Sequence, residues 1–255
     1  MDAKGLNLKS WVPNALTLGN LAFGCVAVLL ALRAGRAEDS VQELRMLQLA
    51  AWAIVGGAVC DLLDGMVARA MGVSSKLGAE LDSLSDLVTF GVAPAAIYSG
   101  VIFRLTGGAA PIWLQALPFV LALATSLRLA HFNIDTTQTV SFSGLPSPGS
   151  ALFTVGLVLG LTAPLGAKIF RTMLGCEYAI MTWVVLQSVL MLVPVRMLSF
   201  KIHGSGWRAW WHVVVLGVVA IAGYACLRGG VAALVVAVYC LLSPFANRAA
   251  AHGDR

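Results

Sequence analysis

An all-α integral membrane protein of about eight transmembrane helices is the fold class that the sequence predicts, and three observations carry it. Of the 255 residues, 59% are hydrophobic and only 11% charged, whereas a water-soluble domain carries about 25% charged residues. Mean hydropathy is +0.86, so the chain is too poor in charge to cover a soluble surface. Apolar runs near the length that spans a hydrocarbon layer, about 20 residues, recur from end to end. They lack the strict alternation of a barrel strand, and a lipid-exposed backbone must satisfy its own hydrogen bonds, so they are read as helices.

The first run follows Lys4 and Lys9 and extends from Asn14 to Leu32. It is longer than the core of a signal peptide and is expected to be a retained span. Seven more are expected at about 46–70, 83–103, 112–132, 149–165, 178–195, 212–227 and 230–245, within a single membrane domain covering residues 1–255. With the N-terminus cytoplasmic, inner segments hold ten of the 17 Lys and Arg, which favours that orientation. Trp11, Trp52, Trp113, Trp207, Trp210 and Trp211 fall near span ends, where an amphipathic ring settles. The stretch 201–212 mixes bases with tryptophans and is expected to lie along the interface. Five separated cysteines read as small apolar residues. The net charge of +5 is spread without a dense basic tract, which argues against nucleic acid as a partner.

Five of the twelve acids fall within residues 61–86. Asp61, Asp64, Asp82 and Asp86 sit on or beside apolar spans, where an uncompensated carboxylate costs several kcal/mol. At about 100° per residue, with Asp61 at zero, Asp64 lies near −60°, Ala68 near −20°, Gly65 near +40° and Arg69 near +80°, all on one face. Gly78, Asp82 and Asp86 form an i, i+4, i+8 stripe on the next helix. Two neighbouring helices can therefore present four carboxylates to one another. Two divalent ions would balance them; hard oxygen ligands suit Mg2+ or Mn2+, and paired ions are a recurring device for phosphoryl transfer. Gly65 and Ala68 remove bulk beside this face, and Arg69 offers a planar fork matched to a phosphate. An ion or proton pathway would also use intramembrane acids, but it gives Gly65, Ala68, Arg69 and Gly78 no role, and no internal symmetry of the transporter kind is visible.

The pattern D-x2-D-G-x2-A-R-x8-G-x3-D-x3-D is met in full by Asp61, Asp64, Gly65, Ala68, Arg69, Gly78, Asp82 and Asp86. It resembles the signature of the CDP-alcohol phosphotransferases. That resemblance implies a six-helix catalytic core and transfer of a phosphatidyl or similar group from a CDP-linked donor to an alcohol, with release of CMP. It implies Asp61, Asp64 and Asp82 as metal ligands, with Asp86 as general base and further ligand. Gly65, Ala68, Arg69 and Gly78 would border the CDP moiety, with Ser75 beside them.

Three further stretches resemble the serine-using bacterial branch of that family. In Val12–Asn20, Asn14 and Thr17 share a helix face and offer amide and hydroxyl groups to a nucleotide; Asn-x-x-Thr after Pro13 could equally begin a helix. In Ser126–Asn133, Arg128 and Asn133 match the branch, while His131 stands where it carries an arginine; a protonated histidine could partly substitute. In Phe142–Gly149, two prolines and two glycines make a rigid polar turn that presents Ser147. Arg128, His131, Asn133 and Ser147 are thus the expected acceptor-side residues. One dominant arginine suits an amino acid with a single carboxylate better than glycerol 3-phosphate or inositol phosphate, and choline would call for an aromatic cage. The expected substrates are CDP-diacylglycerol and serine. The expected setting is an inner membrane, with the site facing the cytoplasm and the chain paired as a homodimer. The C-terminal helices, about 178–245, carry only a hydrophobic pattern.

Overall fold

The computed structural model describes residues 8–73, 75–134, 144–194, 197 and 207–253, with side chains placed at 11–73, 75–134, 144–194, 197 and 215–243. Among these residues every regular element is helical. The chain runs through α1 (Leu8–Ala34), α2 (Ser40–Met71), α3 (Lys76–Asp86), a π-helical turn (Leu87–Val92) and α4 (Ala93–Leu105). It continues through α5 (Ile112–Ala116), α6 (Val120–Ile134), α7 (Ser147–Gly160), α8 (Ala167–Met173), α9 (Glu177–Leu192), α10 (Trp207–Leu227) and α11 (Val231–Gly253).

Five helices are long and apolar enough to cross a membrane, or six when α8 and α9, bent by 85°, count as one span. The spans expected near residues 46, 83 and 112 match α2, the continuous Lys76–Leu105 helix and Ile112–Ile134. The first helix starts at Leu8 and runs through Pro13, so Asn14 and Thr17 lie inside it, not at its start. The run expected at 149–165 is the 14-residue α7, about 21 Å long at 1.5 Å per residue and shorter than a hydrocarbon core. Between the last two runs Arg228 takes a positive φ of 47° in a 3-10 turn. A side chain at Gly223 would meet Val231 and Leu234. In a straight helix Gly223 and Val231 would be about 12 Å apart, so the chain folds back there. The interfacial stretch expected at 201–212 lies largely outside the described residues, and at 207–212 only the helical backbone is described.

Apolar side chains cover the outside of the bundle, Leu29, Ile112 and Leu241 among them. Trp11, Trp52 and Trp113 are all exposed, as interfacial anchors require. Inside, small residues dominate the contacts of α1, α2 and α4 (Ala27, Ala31, Ala50, Ala95, Ala96), so the helices approach closely. Cys25, Cys60, Cys176, Cys226 and Cys240 are free thiols.

Two caps aim the aspartate-bearing segment. At the end of α2, Gly72 adopts φ 62° and its N–H returns to Ala68 and Arg69 carbonyls, which stops the helix just past Arg69. Three residues later Ser75 caps α3, its Oγ accepting from Gly78 N at 2.9 Å. A short reversal therefore lays the Asp82–Asp86 stripe beside the end of α2.

Candidate active site

Asp61, Asp64 and Asp82 each present a carboxylate oxygen, and the three oxygens lie within 4.8 Å of one another. Asp64 is buried, and Asp61 and Asp82 are half-buried. Among the described residues the ion pair is Arg104–Glu43 at the other end of α2, so these acids are not neutralised by a neighbouring base. Asp82 Oδ1 is buried with no hydrogen-bond donor. Like-charged oxygens crowded together, one an orphaned acceptor, are a donor set that could hold a hard cation.

Side chains from α1 orient the cluster. Thr17 Oγ1 lies 2.5 Å from Asp64 Oδ2 and 3.1 Å from the Pro13 carbonyl. Its single proton goes to the nearer, charged acceptor. Asp86, one turn beyond Asp82, stands outside the three-carboxylate group and accepts from Asn20 Nδ2 at 3.2 Å. Asn20 is fully buried, and its carbonyl accepts from Thr89 Oγ1 of the π-helical turn at 3.0 Å. A Cβ at Gly57 would strike both Thr89 and Asn20, so α2 leaves just enough room for this bridge. The π-helical turn itself, directly after Asp86, is of the kind often found at functional sites.

Between α1, α2 and α3 opens a cavity of about 210 Å3, lined by Pro13, Asn14, Thr17, Asp64, Gly65, Ala68, Val73, Ser75, Gly78, Ala79 and Asp82. Of the residues expected at the CDP-linked donor, Asn14, Thr17, Gly65, Ala68, Ser75 and Gly78 line it, while Asp61 and Arg69 are not among its lining residues. The Arg69 guanidinium folds back beside Gly65, with Nη1 3.3 Å from where a Cβ would stand. A Cβ on Gly78 would come within 3.0 Å of both Asn14 Oδ1 and Ser75 Oγ. A larger cavity of about 590 Å3 lies between α8 and α9, lined by residues such as Lys168 and Trp183, and contains no carboxylate.

Of the residues expected on the acceptor side, two are joined to one another by a hydrogen bond and a third is tied to α3. Arg128 Nη1 donates to Ser147 Oγ at 3.3 Å, while its Nε is buried with no acceptor. Asp86 is among the charged neighbours of the guanidinium. Asn133 donates to Ser83 Oγ at 3.0 Å, tying the end of α6 to α3 beside Asp82. His131 is exposed on the last turn of α6. Part of the polar turn before Ser147, residues 142 and 143, lies outside the described residues.

Sequence reasoning passed over Asn20 and Thr89. Asn20 had a legible signal, since Asn14, Thr17 and Asn20 repeat every three residues on one side of α1. Thr89 had none, because its role depends on the π-helical phase shift.

Comparison with known proteins supplies the lineage. The sequence model described as CDP-alcohol phosphatidyltransferase matches residues 10–193. A Helicobacter pylori protein named CDP-diacylglycerol–serine O-phosphatidyltransferase is 32% identical over 194 residues, covering 74% of this chain and 72% of its own. A Mycobacterium bovis protein of the same name is 30% identical over 256 residues, covering 96% and 80%. One from Saccharomyces cerevisiae is 42% identical over 123 residues, covering 45% and 41%. With the aspartate spacing, the helical membrane fold and a match over most of its length, the chain belongs to the CDP-alcohol phosphatidyltransferase family.

Proposed function

We propose that the chain transfers the phosphatidyl group of CDP-diacylglycerol to the hydroxyl of L-serine, forming phosphatidylserine and CMP. The observation that supports this reading is Arg128, which donates to Ser147 and counts Asp86 among its charged neighbours, in a chain whose Asp61, Asp64 and Asp82 carboxylates converge. A guanidinium there can hold one carboxylate next to a base. The names of the relatives agree with serine as the acceptor.

Asp61, Asp64 and Asp82 would hold a divalent cation, Mg2+ or Mn2+, and Asp86 would serve a second ion. When bound, the cations neutralise the carboxylates and stabilise charge on the diphosphate oxygens. Asn14, Gly65, Ala68, Ser75 and Gly78 line the donor's cavity, where the absence of bulk at 65 and 78 admits it, and Arg69 meets its phosphates. Thr17 serves the same pocket by steadying Asp64.

Arg128 and Ser147 bind the serine carboxylate, with His131 and Asn133 at the border of the pocket. Asp86 accepts the proton of the serine hydroxyl as its oxygen attacks the phosphorus that bears diacylglycerol. That P–O bond forms while the bond to CMP breaks, and the electron pair leaves with CMP. The proton passes from Asp86 to solvent. A positioned base of this kind contributes about 10²–10⁴-fold, because a neutral hydroxyl is a poor nucleophile. The reading includes a homodimer in an inner membrane with its site facing the cytoplasm, as the family resemblance implies.

The test is CMP release by the purified protein in detergent, with CDP-diacylglycerol, Mg2+ or Mn2+, and serine, glycerol 3-phosphate, inositol phosphate or choline supplied separately. Serine-dependent release with phosphatidylserine as product is expected. Release with another alcohol alone would keep the aspartate chemistry and overturn the acceptor assignment.

A further inference from the structure

The residues assigned so far all lie within the segment shared with the family, yet the acceptor end of the site is bordered by a helix beyond it. Two close backbone approaches join α7 to the C-terminal pair of helices. Gly156 faces Ala233, and Gly160 faces Gly230, with no room for a Cβ at Gly156 or Gly230. Moving back along α7 from 160 to 156 moves forward along the partner from 230 to 233, so the two helices are antiparallel. At 1.5 Å per residue, the step from Gly156 to Ser147 is about 13.5 Å, and the same step from Ala233 arrives near residue 242. Tyr239 and Ser243 therefore bracket the level of Ser147.

A second observation agrees with this register. Tyr239 and Arg128 lie close enough to influence one another's charge, and Arg128 donates to Ser147. Tyr239 is only 8% exposed and Ser243 fully buried, although α11 carries Leu241 to the outside. A tyrosine hydroxyl at this depth can both donate and accept, so it can serve the guanidinium beside any other partner it has. An arginine, in turn, works as a directional fork only when its plane is held. Ser147 holds one edge, and a hydroxyl on a separate helix can hold another.

We propose that Tyr239 is a positioning residue of the acceptor pocket: from α11, outside the family-matched residues 10–193, it fixes the Arg128 guanidinium so that the fork meets the acceptor's carboxylate beside Asp86. The C-terminal helix is thereby part of the reaction site and not only a membrane anchor. This rests on the reading of Arg128 as the acceptor's partner.

The test is steady-state kinetics of the full chain in detergent. Tyr239→Phe keeps the ring and removes the oxygen. It is expected to raise the serine KM about tenfold, the size of one charge-assisted hydrogen bond, with the CDP-diacylglycerol KM and the thermal unfolding midpoint within error of wild type. Tyr239→Gln returns an oxygen toward Arg128 and is expected to recover part of that loss. In combination with Arg128→Lys, Tyr239→Phe is expected to add little, since the two act through one group. A serine KM within twofold of wild type in Tyr239→Phe, a Gln variant no better than Phe, or fully additive losses would each overturn the proposal. If the wild type releases CMP with a different alcohol, the serine assignment fails by itself. The KM for that alcohol then tests Tyr239, and no change in Tyr239→Phe overturns it.

Discussion

Asn20 and Asp86 are 66 positions apart in sequence, yet the Asn20 side-chain amide donates to Asp86 Oδ1 across 3.2 Å in the buried centre of the bundle. An amide donor fixes which oxygen of the carboxylate is engaged and leaves the other for the proton that the proposed mechanism assigns to it. Asn20→Ala is therefore expected to lower kcat by about 10–100-fold, the usual cost of losing a supporting partner. The donor KM should stay near wild type. Equal turnover in the two proteins, measured as CMP release, would deny Asn20 this role.

Asp86→Asn keeps size and the contact with α1 but removes the proposed base. Turnover is expected to fall by about 10²–10⁴-fold, while binding of CDP-diacylglycerol, followed by equilibrium titration, largely survives. Retained activity would assign proton removal elsewhere.

Metal chemistry can be separated from base chemistry through Thr17, which reaches Asp64 and not Asp86. In Thr17→Val the carboxylate loses its hydroxyl donor, and the concentration of Mn2+ giving half-maximal activity should rise by about 10–100-fold. Saturating metal should restore most of the rate. Chelation should stop CMP release in the wild type, with recovery on adding metal back.

The donor cavity has little spare room at Gly78, where a methyl group would meet Asn14 Oδ1 and Ser75 Oγ at 3.0 Å. Gly78→Val is expected to raise the donor KM with no change in the serine KM. A shift in both constants together would instead indicate that the whole α3 cap had moved.

Away from the site, Tyr98, Ser150, Thr154 and Gln187 form a buried polar network. Gln187 Nε2 donates to Tyr98 Oη at 2.8 Å, and Ser150 Oγ donates to Gln187 Oε1 at 2.9 Å. Gln187→Leu leaves partners unmet in a dry interior, at a cost of about 1–3 kcal/mol. The unfolding midpoint in detergent should drop, while the serine and donor KM values hold in the molecules that remain folded.

Much of this protein could be derived from composition and spacing. Paucity of charge dictated a lipid solvent, and the helical period put Asp61, Asp64, Gly65, Ala68 and Arg69 on one face, because both properties are local and repeat within a few residues. The signature through Asp86 named the family for the same reason. Tertiary structure decided what no local period encodes. It turned α3 against α2 through the Gly72 and Ser75 caps, drawing Asp61, Asp64 and Asp82 together and setting Asp86 apart beside Asn20. It converted the segment after Asp86 into a π-helical turn held by Thr89, and it packed the C-terminal α11 against α7 where Gly156 meets Ala233. In a membrane every span looks apolar to its own sequence neighbours. Which polar groups meet is settled by how closely small residues such as Gly57 and Gly156 let the helices pack, and that is a property of pairs of helices and not of any one of them.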